Sequence, residues 1–376
     1  MIYREILESK LKISKLGFGC MRLPRIQVGR DIKVNDELAV PLIRHAFDLG
    51  INYFDTAWTY CGEDSERALG IAIKPFRGKV YISTKLPMWN IEKPDDFWFF
   101  LEKALEKLDT DYIDFYHFHS VNQVFWDKIK KFKLVKFAEK AKSKGYIKHI
   151  SFSFHDDPSL LKEIVDTGDF ESVLCQYNIL NSVNEEAIDY AKQKGLGVFI
   201  MGSLAGGNVA HANENFVKRF GVKVESSAEL GLKFVWGNKN VDCALSGMET
   251  TAILEENIRY AESSNSISIE EWNSLKMSAE ETNSFLEIYC TDCQYCFVCP
   301  KNIRPAHIFK MYNNFKTWGL RESSKKAYQT LCTDEWWYGN HPDECIGCGK
   351  CSKKCPQKID IPKYLKKATD ELKTIK

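Results

Sequence analysis

Nine of the thirteen cysteines fall between Cys290 and Cys355, and eight of those form two runs. The first run, CTDCQYCFVCP, holds Cys290, Cys293, Cys296 and Cys299 before Pro300. The second, CIGCGKCSKKCP, holds Cys345, Cys348, Cys351 and Cys355 before Pro356. In a reducing compartment such dense Cys-x-x-Cys spacing reads as metal binding rather than as a disulfide framework. The second run matches C-x2-C-x2-C-x3-C-P at every position, the spacing of bacterial ferredoxins. Three thiolates separated by two residues let a short loop wrap one iron–sulfur cubane. The fourth, beside proline, usually ligates the neighbouring cluster.

The pair of runs therefore predicts two [4Fe–4S] clusters with crossed ligands. Cys290, Cys293 and Cys296 would hold one cluster with Cys355. Cys345, Cys348 and Cys351 would hold the other with Cys299. The first run has two residues rather than three before Cys299, a departure that bears on the crossing more than on the ligand set. Structural zinc typically uses two separated Cys-x-x-Cys pairs around one tetrahedral ion. Three consecutive steps followed by Cys-Pro, twice over, fit that poorly. Cys332 belongs to neither run and reads as a spare buried thiol.

A second set of reactive residues stands at the ends of apolar runs. Asp55 follows INYF, Lys85 follows YIST and His119 follows YHF. Ser153, Gln176 and Gly202 end later runs, and Tyr60 lies five residues beyond Asp55. A free tyrosine has a pKa near 10, too high for efficient proton donation at neutral pH. A nearby lysine cation favours the phenolate. A carboxylate would keep that lysine charged and aimed, and a neutral histidine could orient a carbonyl oxygen. Tyr60 as acid, Lys85 as its tuner, Asp55 as partner of Lys85 and His119 as orienting group suit protonation of a carbonyl oxygen as hydride reaches carbon. Singly, each has a plainer reading, such as a helix cap for Asp55 or loop packing for Tyr60.

These residues need elements that bring strand ends to one rim. Short apolar runs alternate with amphipathic stretches through the first 260 or so residues, giving about eight βα units. Such a count and length fit a closed (β/α)8 barrel, which places chemistry where its strands end. A doubly wound open sheet is disfavoured, because no G-x-G-x-x-G follows the first strand, LGFGCMRL. The expected organisation is a barrel over 1–265, a helical linker over 266–289 and a small, mainly helical ferredoxin-type domain over 290–376. The lysine-rich stretch KIKKFKLVKFAEKAKSKG has apolar residues at near-helical spacing, so it reads as the wet face of one helix from about Phe125 to Lys144.

With 52 basic and 51 acidic side chains, the charge balance suggests neither a nucleic-acid nor an anionic-membrane partner. No apolar run is long enough to span a bilayer. The N-terminus lacks the pattern of a secretion signal, so the expected location is cytoplasmic.

FDTAWTYCGEDSERALG, STK and LDTDYIDFYHFH together resemble the aldo-keto reductase family, on Asp55, Thr56, Ala57, Tyr60, Gly62, Ser65, Glu66, Gly70, Lys85 and His119. QYN at 176–178 and EENIRYA around Asn257 extend the resemblance over roughly residues 1–265. More narrowly, the chain is similar to the branch that carries a C-terminal ferredoxin-type domain. The resemblance implies NAD(P)(H) bound extended across the rim without a Rossmann domain. Ser153 and Gln176 would contact the carboxamide. The backbone near Ser203, Leu204 and Gly206 would follow the pyrophosphate. Ser246, Gly247, Met248, Glu256 and Asn257 would lie near the adenosine end. Many members hold a 2′-phosphate with Lys and Arg after the eighth strand, whereas SGMETTAILEEN has no basic residue, which leaves NADPH preference open. Cys61 adjoins Tyr60, and a reactive role there would need a lowered thiol pKa.

Hydride transfer moves two electrons and a cluster moves one, so a flavin is a further possible cofactor. The leading expectation is an iron–sulfur oxidoreductase acting on a small carbonyl-type substrate, exchanging electrons with a redox partner such as ferredoxin. One alternative is an electron-transfer or redox-sensing protein that uses the barrel as a binding scaffold. The other is an NAD(P)-dependent reductase whose clusters are purely structural.

Overall fold

The computed structural model describes residues 1–28, 31–207, 209–210, 217–218, 220–263, 268–283, 287–290, 293, 295–316, 321–332 and 339–374. The strands in chain order are β1 (Tyr3–Ile6), β2 (Leu11–Ser14), β3 (Leu16–Gly19), β4 (Arg25–Val28), β5 (Asp31–Val34), β6 (Tyr53–Asp55) and β7 (Tyr81–Leu86), followed by β8 (Ile113–Val121), β9 (Ile147–Phe154), β10 (Ser172–Gln176), β11 (Gly197–Met201) and β12 (Cys243–Ser246). Eight of them close into a parallel barrel in the order β3-β6-β7-β8-β9-β10-β11-β12, with β12 pairing back onto β3. The expected (β/α)8 architecture is present.

Barrel strands are covered on both faces, which is why β8 is buried along all nine residues. Inside, Tyr53, Phe115, Leu174, Phe199, Cys243 and Leu245 pack as one cluster with Ile6 and Ile13 of the β1–β2 hairpin. Tyr53 stacks on Phe199 with ring centres 4.4 Å apart. Gly70 lies where the helix Ser65–Ile73 meets the end of the helix Asp96–Leu108. An added Cβ there would come 2.6 Å from the Leu108 carbonyl oxygen, so the contact admits only glycine.

The helix expected from Phe125 to Lys144 is in fact two, Gln123–Phe132 and Leu134–Ser143. Lys133 between them adopts φ +53°, which ends the first helix with a left-handed residue. The lysines still line its wet face. Two antiparallel hairpins, β1–β2 and β4–β5, add to the expected βα units.

Contacts divide the chain into two compact units. One comprises Met1–Tyr177, Ser182–Ser203 and Val235–Ser266. The other comprises Asn178–Asn181, Leu204–Phe234 and Ile267–Lys376. In the second, the helices Pro305–Lys316 and Ile361–Lys373 share a core of Ile308, Phe309, Tyr312, Ile361, Leu365 and Leu372. The Tyr312 hydroxyl donates to Glu287 at 2.7 Å and to Glu371 at 3.1 Å. Lys367 pairs with Glu287 and Lys316 with Glu371. Among the described residues no helix is long and apolar enough to cross a membrane.

Candidate active site and cluster cradle

Strand register brings the rim residues together. Asp55 at the end of β6 pairs with Ser83 of β7, and Lys85 pairs with His117 of β8. The Lys85 ammonium, 2 % exposed, donates to both Asp55 carboxylate oxygens at 2.8 Å and to the Thr56 carbonyl at 2.7 Å. The Ser83 hydroxyl donates to Asp55 at 2.6 Å. Lys85 Nζ stands 4.8 Å from the centre of the Tyr60 ring. His119 meets Tyr60 edge-on, with ring centres 6.2 Å apart. All four residues picked out at the strand ends therefore converge. Trp89 lies 4.7 Å from His119, centre to centre, a rim aromatic that no local sequence signal marked.

Burial draws the Lys85 pKa below the ordinary lysine value, and Asp55 opposes that shift. The same burial, with the Lys85 cation, holds His119 well below the usual imidazole value. His119 is therefore neutral at pH 7, as an orienting donor requires. His117 is lowered in the same way, and His155 is lowered to about 4. A second buried carboxylate, Glu66, accepts from Thr84 Oγ1 at 2.6 Å and stands 3.6 Å from Lys107. Lys107 in turn lies 3.6 Å from the ring centre of Trp58, in the loop that carries Tyr60. Cys61 is buried, and burial pushes its thiol up to about 11. That leaves little thiolate at neutral pH, so its microenvironment is that of an inert cysteine.

The residues expected to meet a nicotinamide dinucleotide are distributed as follows. Ser153 Oγ accepts from the Ser120 amide at 2.7 Å, beside an irregularity in the β8–β9 pairing where Ser120 has φ +55°. The Gln176 amide borders Gly202, where an added Cβ would lie 3.6 Å from Nε2. Ser203 Oγ donates to the Leu245 carbonyl at 3.0 Å. Asn257 is buried and donates to Ser246 Oγ at 2.9 Å, while Glu256 accepts from Tyr260 at 2.6 Å. Met248 is fully buried. Leu204 and Gly206 belong to the second compact unit, and Gly206 has φ +69°. Arg22 was not anticipated. It reaches the β12 loop because β12 closes onto β3, and its Cδ lies 3.1 Å from where a Gly247 Cβ would be. Its guanidinium stands 4.0 Å from Glu249.

In the second unit, a partly open cavity is lined by Cys290, Cys293, Cys296 and Cys355, with Phe309, Ile359 and Ile361 among its apolar walls. These are the four cysteines of one crossed set, and four thiols around one apolar-walled pocket are the donor set that a cubane takes. Cys299 and Cys345 are near enough to act electrostatically on Cys351, a member of the other set. Among the described residues no three metal-binding side chains converge as a single ion would need. A cubane is held by thiolates spaced more widely than those around one zinc. Cys345 and Cys348 are exposed. Cys332 is exposed too, with its thiol 3.5 Å from the Gly339 carbonyl, which corrects the buried thiol expected there. It follows Leu331 at the frayed end of the helix Arg321–Gln329, with φ +64°, and so turns away from the core.

A closed parallel barrel with this rim and a cysteine-bound cavity defines the class: a barrel oxidoreductase carrying a ferredoxin-type iron–sulfur domain. The sequence model of the aldo/keto reductase family matches residues 15–280, and that of the 4Fe-4S dicluster domain matches residues 289–360. The chain belongs to the aldo/keto reductase family. It is similar to L-galactose dehydrogenase of Arabidopsis thaliana, 28 % identical over 284 residues, covering 68 % of this chain and 86 % of that one. It is also similar to methylglyoxal reductase DkgB of Salmonella typhimurium, 25 % identical over 295 residues, covering 76 % and 99 %. Among solved structures, the holo form of aldo-keto reductase AKR11C1 from Bacillus halodurans shares the fold. The TM-score is 0.64 at 23 % identity, covering 74 % of this chain and 96 % of that one.

Proposed function

We propose that the protein reduces or oxidises a small carbonyl-type substrate at the barrel rim and exchanges electrons through two [4Fe–4S] clusters. The observation that carries this is the buried contact of Lys85 with Asp55 beneath the Tyr60 ring. It places a fixed cation beside a phenol, the arrangement that eases proton donation from tyrosine. In this reading Tyr60 gives its proton to the substrate oxygen in the reducing direction. Lys85 stabilises the phenolate left behind, and Asp55 holds Lys85. Neutral His119 orients the oxygen through a ring N–H. Ser153, Gln176, Ser203, Ser246 and Asn257 offer the polar groups that would hold a nicotinamide dinucleotide, which supplies hydride when bound. The eight run cysteines would hold the clusters in crossed sets, consistent with the cavity that joins Cys355 to Cys290, Cys293 and Cys296.

Tyr60→Phe tests the assignment on the reconstituted protein. Carbonyl turnover should fall about 10²–10⁴-fold, with iron content and visible cluster absorption unchanged. Turnover equal to that of the parent would overturn the role of Tyr60.

A further inference from the structure

We infer that the loop Cys345–Cys355 is the docking surface for an acidic one-electron carrier protein. The inference rests on the reading that Cys345, Cys348 and Cys351 bind a cluster. From Cys345 to Ile359 the chain carries four lysines, Lys350, Lys353, Lys354 and Lys358, and no acidic residue. All four are exposed. The acids that flank this stretch are engaged locally. Asp343 is held by Lys373 at 2.7 Å and by His341 at 3.2 Å. Glu344 accepts from Asn340 at 2.9 Å, and Asp360 caps the helix Ile361–Lys373. Glu344 and Asp360 keep their charge in these contacts, so the positive stretch is Cys345–Ile359 itself, where four lysines meet no acid.

Within this stretch the backbone is open to close approach. Ile346 is 60 % exposed. Cβ atoms added to Gly347 and Gly349 would meet nothing within 4 Å. An exposed apolar residue in a stretch that carries four exposed lysines, with glycines that allow close backbone approach, has the composition of a small transient interface. Cys345 and Cys348 are exposed, whereas Cys290, Cys293, Cys296 and Cys355 are half-buried or buried and line an apolar cavity. The cluster at Cys345–Cys351 is thus the one at which electrons enter or leave. In each transfer one electron leaves the reduced cluster, oxidising it by one, and reduces the carrier's redox centre by one; no bond forms or breaks. Positive charge around the exit steers a carrier of negative charge.

The test uses the full reconstituted chain, with its clusters reduced by dithionite and the excess removed. It is mixed anaerobically with an oxidised acidic flavodoxin or with basic cytochrome c, and binding of flavodoxin to the oxidised chain is followed by calorimetry. Flavodoxin reduction should slow at least about tenfold from roughly 20 mM to 500 mM salt, and about tenfold in Lys353→Glu/Lys354→Glu. Calorimetric affinity should fall in parallel, and cytochrome c should respond in the opposite direction. Equal rates for both carriers, insensitive to salt and to charge reversal, would overturn the docking surface. Should the Glu variant lose iron, Lys353→Gln/Lys354→Gln and the salt dependence of the parent decide. Unchanged iron in Cys345→Ser would instead overturn the underlying cluster assignment.

Discussion

Lys85 donates to both carboxylate oxygens of Asp55 at 2.8 Å, in a position where neither side chain is more than 4 % exposed. The third ammonium hydrogen goes to the Thr56 carbonyl, so the cation is fully satisfied within the barrel. Desolvation still pulls its pKa down. Asp55 therefore keeps Lys85 charged against that pull and holds it near the Tyr60 ring.

Removing one partner leaves the other charge buried alone. Lys85→Met should cost about 3–5 kcal/mol of stability and nearly all turnover. Lys85→Met/Asp55→Asn should recover much of the stability but none of the turnover. Urea unfolding together with carbonyl assays checks both. A double variant no more stable than the single would mean that the pair is not the source of the loss.

Crossed ligation makes a logical prediction about iron. Cys290→Ala and Cys355→Ala should each remove one cluster, leaving about four irons of about eight. If they serve the same cluster, the double variant should also retain about four. Cys345→Ala/Cys355→Ala should then lose both. Iron and sulfide analysis of the two doubles separates crossed from uncrossed sets, because uncrossed sets exchange the two results.

The parts of the fold that announced themselves did so through local pattern. SVLCQ and GVFIM are apolar runs of strand length, and the structure turns each into one barrel strand over the same residues. The convergence of Asp55, Lys85 and His119 followed from counting strand ends, since parallel closure brings every such end to one rim. Features set by tertiary contact left no such mark. Lys133 is an ordinary helix former by propensity, yet it takes a left-handed conformation between the helices Gln123–Phe132 and Leu134–Ser143. Arg22 and Gly247 are 225 positions apart in the sequence, and only the pairing of β12 with β3 joins them. The exposure of Cys332 depends on where a helix ends, the least legible of helix properties.

The buried histidines contribute a pH dependence of defined sign. His155 titrates at about 4 when folded, against 6.5 as its ordinary value. The unfolded chain therefore binds more protons between those values, and stability falls as pH drops through 6.5 toward 4. His117 and His119, both lowered by burial, act in the same direction. Burial raises the carboxyl pKa values of Glu66, Asp114 and Asp242, which act in the opposite direction, so the histidine contribution is read by difference: from pH 7.5 to 4 the urea midpoint of the parent should fall relative to that of His155→Gln. A profile for His155→Gln parallel to the parent's would remove His155 from the account.

Arg22 offers a test of cofactor choice. The β12 loop has no basic residue of its own, but Arg22 lies across Gly247 with its guanidinium 4.0 Å from Glu249. A hydrogen bond to a charged group contributes about 1.5–3 kcal/mol, so Arg22→Ala should weaken dinucleotide binding about tenfold or more while leaving iron content intact. Titration with both nicotinamide dinucleotides locates the contact. Equal losses for NADH and NADPH place Arg22 at a phosphate the two share. A larger loss for NADPH places it at the 2′-phosphate, and then Glu249→Gln, by relieving repulsion of that phosphate, should tighten NADPH selectively. Unchanged affinity for both would show that Arg22 serves only to brace the loop.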